Sequence, residues 1–312
     1  MDINKQTQNK ELNKSGLVVK SISGEYTVYN IQEQSYTICT PRGLFRHRDE
    51  TVKVGDYVTY NEDTKIINSI NKRKNDLIRP VIANVDKAFV VTSLIDPDLN
   101  LNLLDKILCV LEFNNIIPVL IFTKIDLLDD KNKYDDILNY YQSVGYKVYK
   151  NDINLKEILY EEIENCVCVL AGQSGVGKST LINTIDESLN LKTNDISRAL
   201  GRGKHTTRHI ELFKFGNGFL ADSPGFGNLS FEGFDDLALS HSFVEFYNNT
   251  DKCKYNCCLH LNEPHCEIKK LVNEKKILKS RYDNYLLFSK ELKDKKKYWY
   301  RKNIDIDKYW YR

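Results

Sequence analysis

The sequence predicts an α/β protein in three parts: a small N-terminal β-barrel, a mainly parallel sheet flanked by helices, and a helical C-terminal region bearing a metal cluster. Three observations carry this prediction. Short Val-, Tyr- and Thr-rich runs punctuated by Gly24, Gly43 and Gly55 fill residues 16–70, at a spacing that suits a small barrel. Strand-like and helix-like runs then alternate between Lys87 and Asp222, the pattern of a parallel sheet covered by helices. From about Phe231 onward no strand-like run occurs, and four of the eight cysteines crowd into residues 253–266.

The elements follow in order. Barrel strands are predicted over residues 17–22, 25–31, 35–40 and 57–60, after a polar tail over 1–15. The second part has strands over 87–94, 116–122, 146–149 and 166–170 and helices over 101–113, 134–143, 155–165 and 179–188. A hairpin over 209–222 turns at Gly216-Asn217-Gly218. The expected domains are 16–72, 73–230 and 231–312, the last ending in a basic and aromatic tail.

Composition narrows the function classes. The chain has 312 residues, 41% hydrophobic and 28% charged, which suits two or three globular domains with real cores. A net charge of +2 demands no nucleic-acid partner, so any such surface must come from local clustering. The first twelve residues are polar, and the longest apolar stretch, 116–122, is strand-sized. The expectation is therefore a cytoplasmic protein without a membrane segment, with nothing requiring more than a monomer. In a reducing compartment eight cysteines do not read as a disulfide framework.

Gly172-Gln173-Ser174-Gly175-Val176-Gly177-Lys178-Ser179, followed by Thr180, has the full spacing of a phosphate loop and sits between a predicted strand and a predicted helix. The glycines let backbone N–H groups turn inward around phosphate oxygens. Lys178 can reach the β- and γ-phosphates, and Ser179 can ligate Mg²⁺. Two companions choose the nucleotide. Asp222-Ser223-Pro224-Gly225 ends a strand, with Asp222 placed for Mg²⁺ through water and the Gly225 N–H for the γ-phosphate. Thr123-Lys124-Ile125-Asp126 ends another. A carboxylate at Asp126 accepts from N1–H and the exocyclic amine of guanine, whereas adenine offers an acceptor at N1. The fold expected here is a P-loop GTPase domain.

The order of these elements is unusual, because the guanine-reading segment precedes the phosphate loop while the cyclic order is intact. That is the signature of a circular permutation. It also brings Asp222 and Gly225 next to the C-terminal region, so a γ-phosphate-dependent rearrangement there is expected to move that region. Gly201-Arg-Gly-Lys-His205-Thr206-Thr207 occupies the place of the first switch, where Thr207 can complete Mg²⁺ coordination. Phe226 stands where many GTPases carry a water-orienting Gln, so the catalytic set expected is His205 positioning water, with Lys178 and Thr207; a contact with RNA phosphate or packing within its loop is the other reading of His205.

Cys253, Cys258, His260 and Cys266 give C-x4-C-x-H-x5-C. Three thiolates and one imidazole form a closed tetrahedral Zn²⁺ set of the structural kind. Cys257 and His265 are adjacent alternatives, and only one of each neighbouring pair is expected to ligate. Lys297-Tyr-Trp-Tyr-Arg301 recurs as Lys308-Tyr-Trp-Tyr-Arg312 and contains both tryptophans of the chain. Basic residues interleaved with aromatics suit RNA phosphates and unpaired bases, and equally an amphipathic helix packed on its own domain. The barrel, with Arg42 to Arg46, is a second candidate RNA reader.

Taken together these features resemble one family, the circularly permuted, small-ribosomal-subunit-dependent GTPases called RsgA. Its marks are Arg42-Gly43 and Gly55-Asp56 in the barrel, Arg79-Pro80 and Ala83-Asn84-Val85-Asp86 at its exit, then Thr123 to Asp126, the 172–180 loop, 201–207, Asp222 to Gly225 and the Cys253/Cys258/His260/Cys266 set. The resemblance implies an OB-type barrel, a permuted G domain, a zinc-bearing helical domain, rRNA binding and a Mg²⁺-dependent GTPase. It implies stimulation by the small subunit and a late checkpoint in that subunit's maturation, with hydrolysis triggering release. Its histidine in the first switch corresponds to His205. Thr123 departs from the more common Asn, which implies weaker support for the base-reading loop. An RNA-binding module with a slow GTP-controlled conformational lock is the alternative. A permuted GTPase acting on the large subunit is a third reading, against which the barrel and the zinc set argue.

Overall fold

The computed structural model describes residues 13–43, 45, 50–151, 154–185, 210–222 and 229–307, with backbone alone for 222 and 296–307. The first five strands are β1 (Asn13–Ile22), β2 (Glu25–Asn30), β3 (Ser35–Pro41), β4 (Tyr57–Asn61) and β5 (Ile66–Ile70). They close into a barrel in the order β1-β2-β3-β5-β4, with β1 also pairing with β4. Val18, Val28, Cys39, Val58, Tyr60 and Ile67 fill its interior, one side of each alternating strand.

Two expectations need correction here. The polar tail does not run to residue 15: Asn13, Lys14 and Ser15 pair with Asn61, Tyr60 and Thr59 and belong to β1. Their polar side chains gave no apolar alternation to read, yet the ladder uses backbone groups alone, and Lys14 is held by Glu33 and Glu62. Strand β5 was not predicted. Asn68 and Ser69 break its apolar run, and only Ile67 is fully enclosed.

A two-stranded ribbon, β6 (Asp76–Leu77) and β7 (Ile82–Ala83), leads out of the barrel. The sheet domain comprises β8 (Lys87–Ser93), α1 (Leu101–Phe113), β9 (Ile117–Thr123), α2 (Asp135–Val144), β10 (Lys147–Lys150), α3 (Leu155–Ile163), β11 (Val167–Ala171), α4 (Lys178–Ile185), β12 (Leu212–Phe215) and β13 (Gly218–Asp222). The strand order is β10-β9-β8-β11-β13-β12, parallel except for β12. The strands predicted from continuous apolar runs are the central ones, as burial on both faces requires. Alternate residues face opposite cores. Ala88, Val90, Leu120, Phe122 and Val169 meet α1 and α2; Phe89, Val91, Val119, Ile121 and Leu170 meet α3 and α4.

The C-terminal region contains α5 (Asp236–His241), α6 (Val244–Tyr247), α7 (Glu267–Asn273) and α8 (Lys279–Asp307). It does not hang from the sheet domain by the chain after Asp222 alone. Helix α8 lies along α1 and α5, with Tyr285, Phe288 and Leu292 in the same apolar cluster as Leu104, Leu108 and Leu111. The sheet domain and the C-terminal helices therefore share one core.

Candidate nucleotide and metal sites

In a parallel sheet, ligands sit beyond the carboxyl ends of the strands. The 172–180 loop leaves β11 and ends in α4, which begins at Lys178. Gly172 has φ +141°, and a Cβ there would lie 2.2 Å from the carbonyl oxygen of Val91 on β8, so only glycine fits. Gly175 and Gly177 have φ of +87° and +96°, conformations that turn backbone N–H groups into the loop. Val176 is buried in the core between sheet and α4, which pins the loop from beneath. Gln173, Ser174, Gly175 and Thr180 are exposed; Ser179 and Lys178 are half-buried at the start of α4. The Lys178 ammonium donates to the carbonyls of Gly172 (2.9 Å) and Gln173 (2.7 Å), which holds it across the mouth of the loop.

Thr123 closes β9, two strands from β11 with β8 between them, so the two loops stand roughly 10 Å apart at one sheet edge. Lys124 takes the left-handed conformation, φ 61°, and turns the chain into the short 3₁₀ turn Ile125–Leu127. Asp126 lies exposed in that turn, and Leu128 behind it is buried. The two loops are joined directly. The buried Thr123 hydroxyl donates to the carbonyl of Val176 over 2.7 Å. Threonine thus supplies a direct inter-loop bond.

A third loop, 94–100, runs from β8 to α1 between the other two, and sequence reading did not pick it out. The Lys124 ammonium donates to the Asp96 carbonyl, Ser93 Oγ donates to the Pro97 carbonyl over 2.6 Å, and a Cβ at Gly175 would lie 3.8 Å from Pro97. The only signal for it was Pro97 among polar residues directly after a strand. Asp222 ends β13 paired opposite Leu170 on β11, so its backbone stands beside the phosphate loop. His205, Thr207 and Gly225 lie outside the described residues.

The metal set assembles as the spacing suggested. Cys253 follows a 3₁₀ turn, Thr250–Lys252, and Cys266 caps α7. One ligand atom from each of Cys253, Cys258, His260 and Cys266 lies within 4.8 Å of all the others. His260 Nδ1 is 3.7 Å from Cys253 Sγ and 3.3 Å from Cys266 Sγ. Tetrahedral Zn²⁺, with Zn–S ~2.3 Å and Zn–N ~2.05 Å, places S and N about 3.5 Å apart, so the donors fit. Burial holds the His260 imidazole down to about 4, in its neutral, ligating form, and pushes the Cys258 thiol up to about 12. A divalent cation bound there would offset the cost of burying the thiolates. His265 and Cys257 are both exposed and outside the set, as expected of adjacent alternatives. The Glu263 carboxylate accepts from the N–H of Leu259 (2.9 Å) and Leu261 (2.8 Å), and the Tyr282 hydroxyl donates to the His260 carbonyl (2.7 Å), fixing the ligand loop.

Comparison with known proteins agrees with this arrangement. The RsgA N-terminal domain family model matches residues 15–67 and the RsgA GTPase family model residues 68–232. Small ribosomal subunit biogenesis GTPase RsgA of Bacillus cereus is 44% identical over 289 residues, covering 90% of this chain and 98% of that protein. The Bacillus subtilis protein of the same description is 41% identical over 293 residues, covering 90% and 98%. Among solved structures, YloQ, a circularly permuted GTPase, superposes with TM-score 0.75 at 35% identity, covering 91% of this chain and 96% of that one. YjeQ from Thermotoga maritima gives TM-score 0.77 at 31% identity, covering 90% and 99%. With its closed barrel, permuted GTPase sheet and Cys3His cluster, the chain belongs to the RsgA GTPase family.

Proposed function

We propose that this GTPase binds the small ribosomal subunit and its rRNA late in the subunit's assembly, and that GTP hydrolysis triggers its release. The observation that carries this is the junction of phosphate loop and base-reading loop at one sheet edge, tied by the Thr123–Val176 bond. The names of the relatives supply the subunit. In this reading Gly172, Gln173, Ser174, Gly175, Val176, Gly177 and Thr180 cradle the phosphates and Lys178 neutralises developing charge. Thr123, Lys124 and Asp126 read guanine, and Ser179, Thr207 and, through water, Asp222 hold Mg²⁺. Gly225 senses the γ-phosphate and His205 positions the attacking water. Cys253, Cys258, His260 and Cys266 hold a structural Zn²⁺ that orders the ligand loop beneath α8.

The division into a barrel domain that ends near residue 72, a G domain over 73–230 and a C-terminal domain over 231–312 is part of this reading, with the barrel taking in β1 from Asn13; it is supported by the closure of the barrel before β6 and by the family models meeting at residues 67 and 68. So is a monomeric, cytoplasmic protein. Among the described residues no helix is long and apolar enough to cross a membrane.

The test is steady-state GTP turnover with and without purified small subunits, for the wild type and His205→Ala. The reading expects strong stimulation by small subunits and its loss in the variant. Tight subunit binding without stimulation would favour a slow GTP-controlled lock on RNA. Stimulation by large subunits alone would remove the small subunit from the proposal.

A further inference from the structure

A charged cluster lies fully buried where the C-terminal helices meet the sheet domain. Arg281 on α8 has no solvent exposure, nor has Asp105 on α1, and Glu245 on α6 is 7% exposed. The guanidinium holds Glu245 bidentately, Nε to Oε1 at 2.7 Å and Nη2 to Oε2 at 2.9 Å, and reaches Asp105 Oδ1 through Nη1 at 2.8 Å. Asp105 also accepts from the Tyr141 hydroxyl of α2 (2.6 Å) and from Asn284 of α8 (2.6 Å), and Glu245 accepts from the Tyr140 hydroxyl (3.1 Å). The guanidinium plane lies against Phe243, 4.6 Å from the ring centre, and Tyr141, 5.6 Å. Every carboxylate oxygen has a partner, which is what permits so many polar groups in a dry place.

The cluster's reach suggests a purpose beyond cohesion. It binds α1 to α2 through Asp105 and Tyr141 and binds both to α8. Helix α1 issues from the 94–100 loop, whose Asp96 carbonyl holds Lys124; α2 follows the turn that carries Asp126. Ile125 and Leu128, flanking Asp126 and behind it, pack in the same apolar cluster as Leu104, Leu138 and Tyr141. The base-reading turn is thus slung between two helices whose spacing is set by the Tyr141–Asp105 bond, with Asp105 and Glu245 held in turn by Arg281. Side chains that must be placed within about half an ångström to read a base need such locked support.

We propose that Arg281, with Asp105 and Tyr141, is a positioning residue for guanine recognition: the C-terminal helices fix α1 against α2 and thereby hold Asp126 and Lys124 in register with the base. This rests on the assignment of Asp126 as the guanine reader. It gives the C-terminal region a share in nucleotide selectivity through residues remote from the phosphate and base-reading loops.

The test measures GDP release and the preference for GDP over IDP, which lacks the exocyclic amine that Asp126 would accept from. Two variants separate positioning from stability. Tyr141→Phe keeps the ring and removes only the bond from α2 to Asp105; the expected result is GDP release at least three-fold faster. The triple change Asp105→Leu, Glu245→Met, Arg281→Met replaces the cluster with apolar groups of similar size, a swap that often preserves or raises stability. It is expected to melt within a few degrees of the wild type yet lose at least five-fold of the GDP-over-IDP preference. Wild-type release and preference in Tyr141→Phe, or in a triple variant that melts like the wild type, would overturn the inference. Asp126→Ala is the reference: if it leaves the preference unchanged, the base-site assignment falls and the inference with it. If Asp126→Ala abolishes the preference while Tyr141→Phe and the triple variant keep it, the inference alone falls.

Discussion

A single hydroxyl illustrates how much of this site hangs on individual atoms. Thr123 is 4% exposed, and its Oγ1 donates to the Val176 carbonyl in the phosphate loop, so base-reading and phosphate-binding segments share one buried bond. Thr123→Val keeps shape and β-branching and removes the donor, leaving a buried acceptor bare at a cost of about 1–3 kcal/mol. The expected outcome is faster GDP release, about ten-fold by stopped-flow with a fluorescent nucleotide, with the fold retained; Thr123→Ser should restore most of the wild-type rate. The sequence made Thr123 legible as a site position, because T-K-x-D at a strand end has a chemical meaning. It could not show the partner, which lies 53 residues on and is fixed only when β9 and β11 are both placed beside β8. The same holds for the 94–100 loop, whose role consists of backbone carbonyls that any sequence would supply.

Elements were legible to the extent that burial imposed a period on them. Helix α1 matches its predicted bounds because Leu104, Ile107, Leu108 and Leu111 face one core. Strand β5 escaped because its run is short and Asn68 and Ser69 interrupt its isoleucines. Helix α3 stops at Ile163, short of the predicted 165, because Asn165 turns left-handed at φ 55° to enter β11. What fastens α3 to the sheet is also beyond periodicity. Glu162, 6% exposed, accepts from Lys87 of β8 at 2.8 Å, from Tyr149 of β10 at 3.1 Å and from Lys147 of β10. Burial alone would push this carboxyl up, but the bonds from Lys147 and Lys87 outweigh it and hold Glu162 below its ordinary value. A depressed carboxyl contributes stability that is present above the ordinary value and lost as pH falls through the folded one. Glu162→Gln should therefore cost about 1–2 kcal/mol at pH 7 and nothing measurable once the wild-type carboxyl is protonated; urea titrations between pH 7 and pH 3 would show the two curves converge. In the zinc loop, Cys258→Ser removes a buried ligand. Bound Zn²⁺, read by a chromogenic chelator, should fall from about one equivalent to near none, with a loss of several degrees in the melting midpoint.

At the scale of the molecule, the barrel and the sheet domain meet in a seam built from residues that pattern alone could mark but not explain. Gly55 takes φ +89°, and a Cβ there would lie 2.0 Å from the Ala83 carbonyl oxygen on β7. The Asn84 side chain donates to the Gly55 carbonyl at 2.8 Å, and Asn75 donates to the Val85 carbonyl at 2.8 Å. The fully buried Asp56 accepts two bonds from Arg73, at 2.7 Å and 2.8 Å. So the Gly55-Asp56 and Ala83-Asn84-Val85 segments, recognisable in the sequence only by resemblance, are the two sides of one close backbone approach. Beyond it the barrel touches the last two strands of the sheet: Lys20 pairs with Glu211, just before β12, at 2.8 Å, and Tyr29 meets Phe219 of β13 edge-on at 5.4 Å. The Lys20 pair is partly solvated and worth little alone, but Tyr29 and Phe219 are buried, in one apolar cluster with Leu17 and Val19 of the barrel and Leu212 of the sheet, so the seam and this apolar contact between them decide whether barrel and sheet melt together. Gly55→Ala must push β7 away and adopt a backbone conformation that alanine disfavours, at about 1–3 kcal/mol for the strain before any loss of packing. Because the strain falls on the junction and not on either core, calorimetry should show one transition in the wild type and two in the variant, with the barrel melting first and the nucleotide-stabilised sheet domain close to the wild-type midpoint. One transition shifted down as a whole would mean that the barrel is bound to the sheet more by Lys20, Tyr29 and their partners than by the seam.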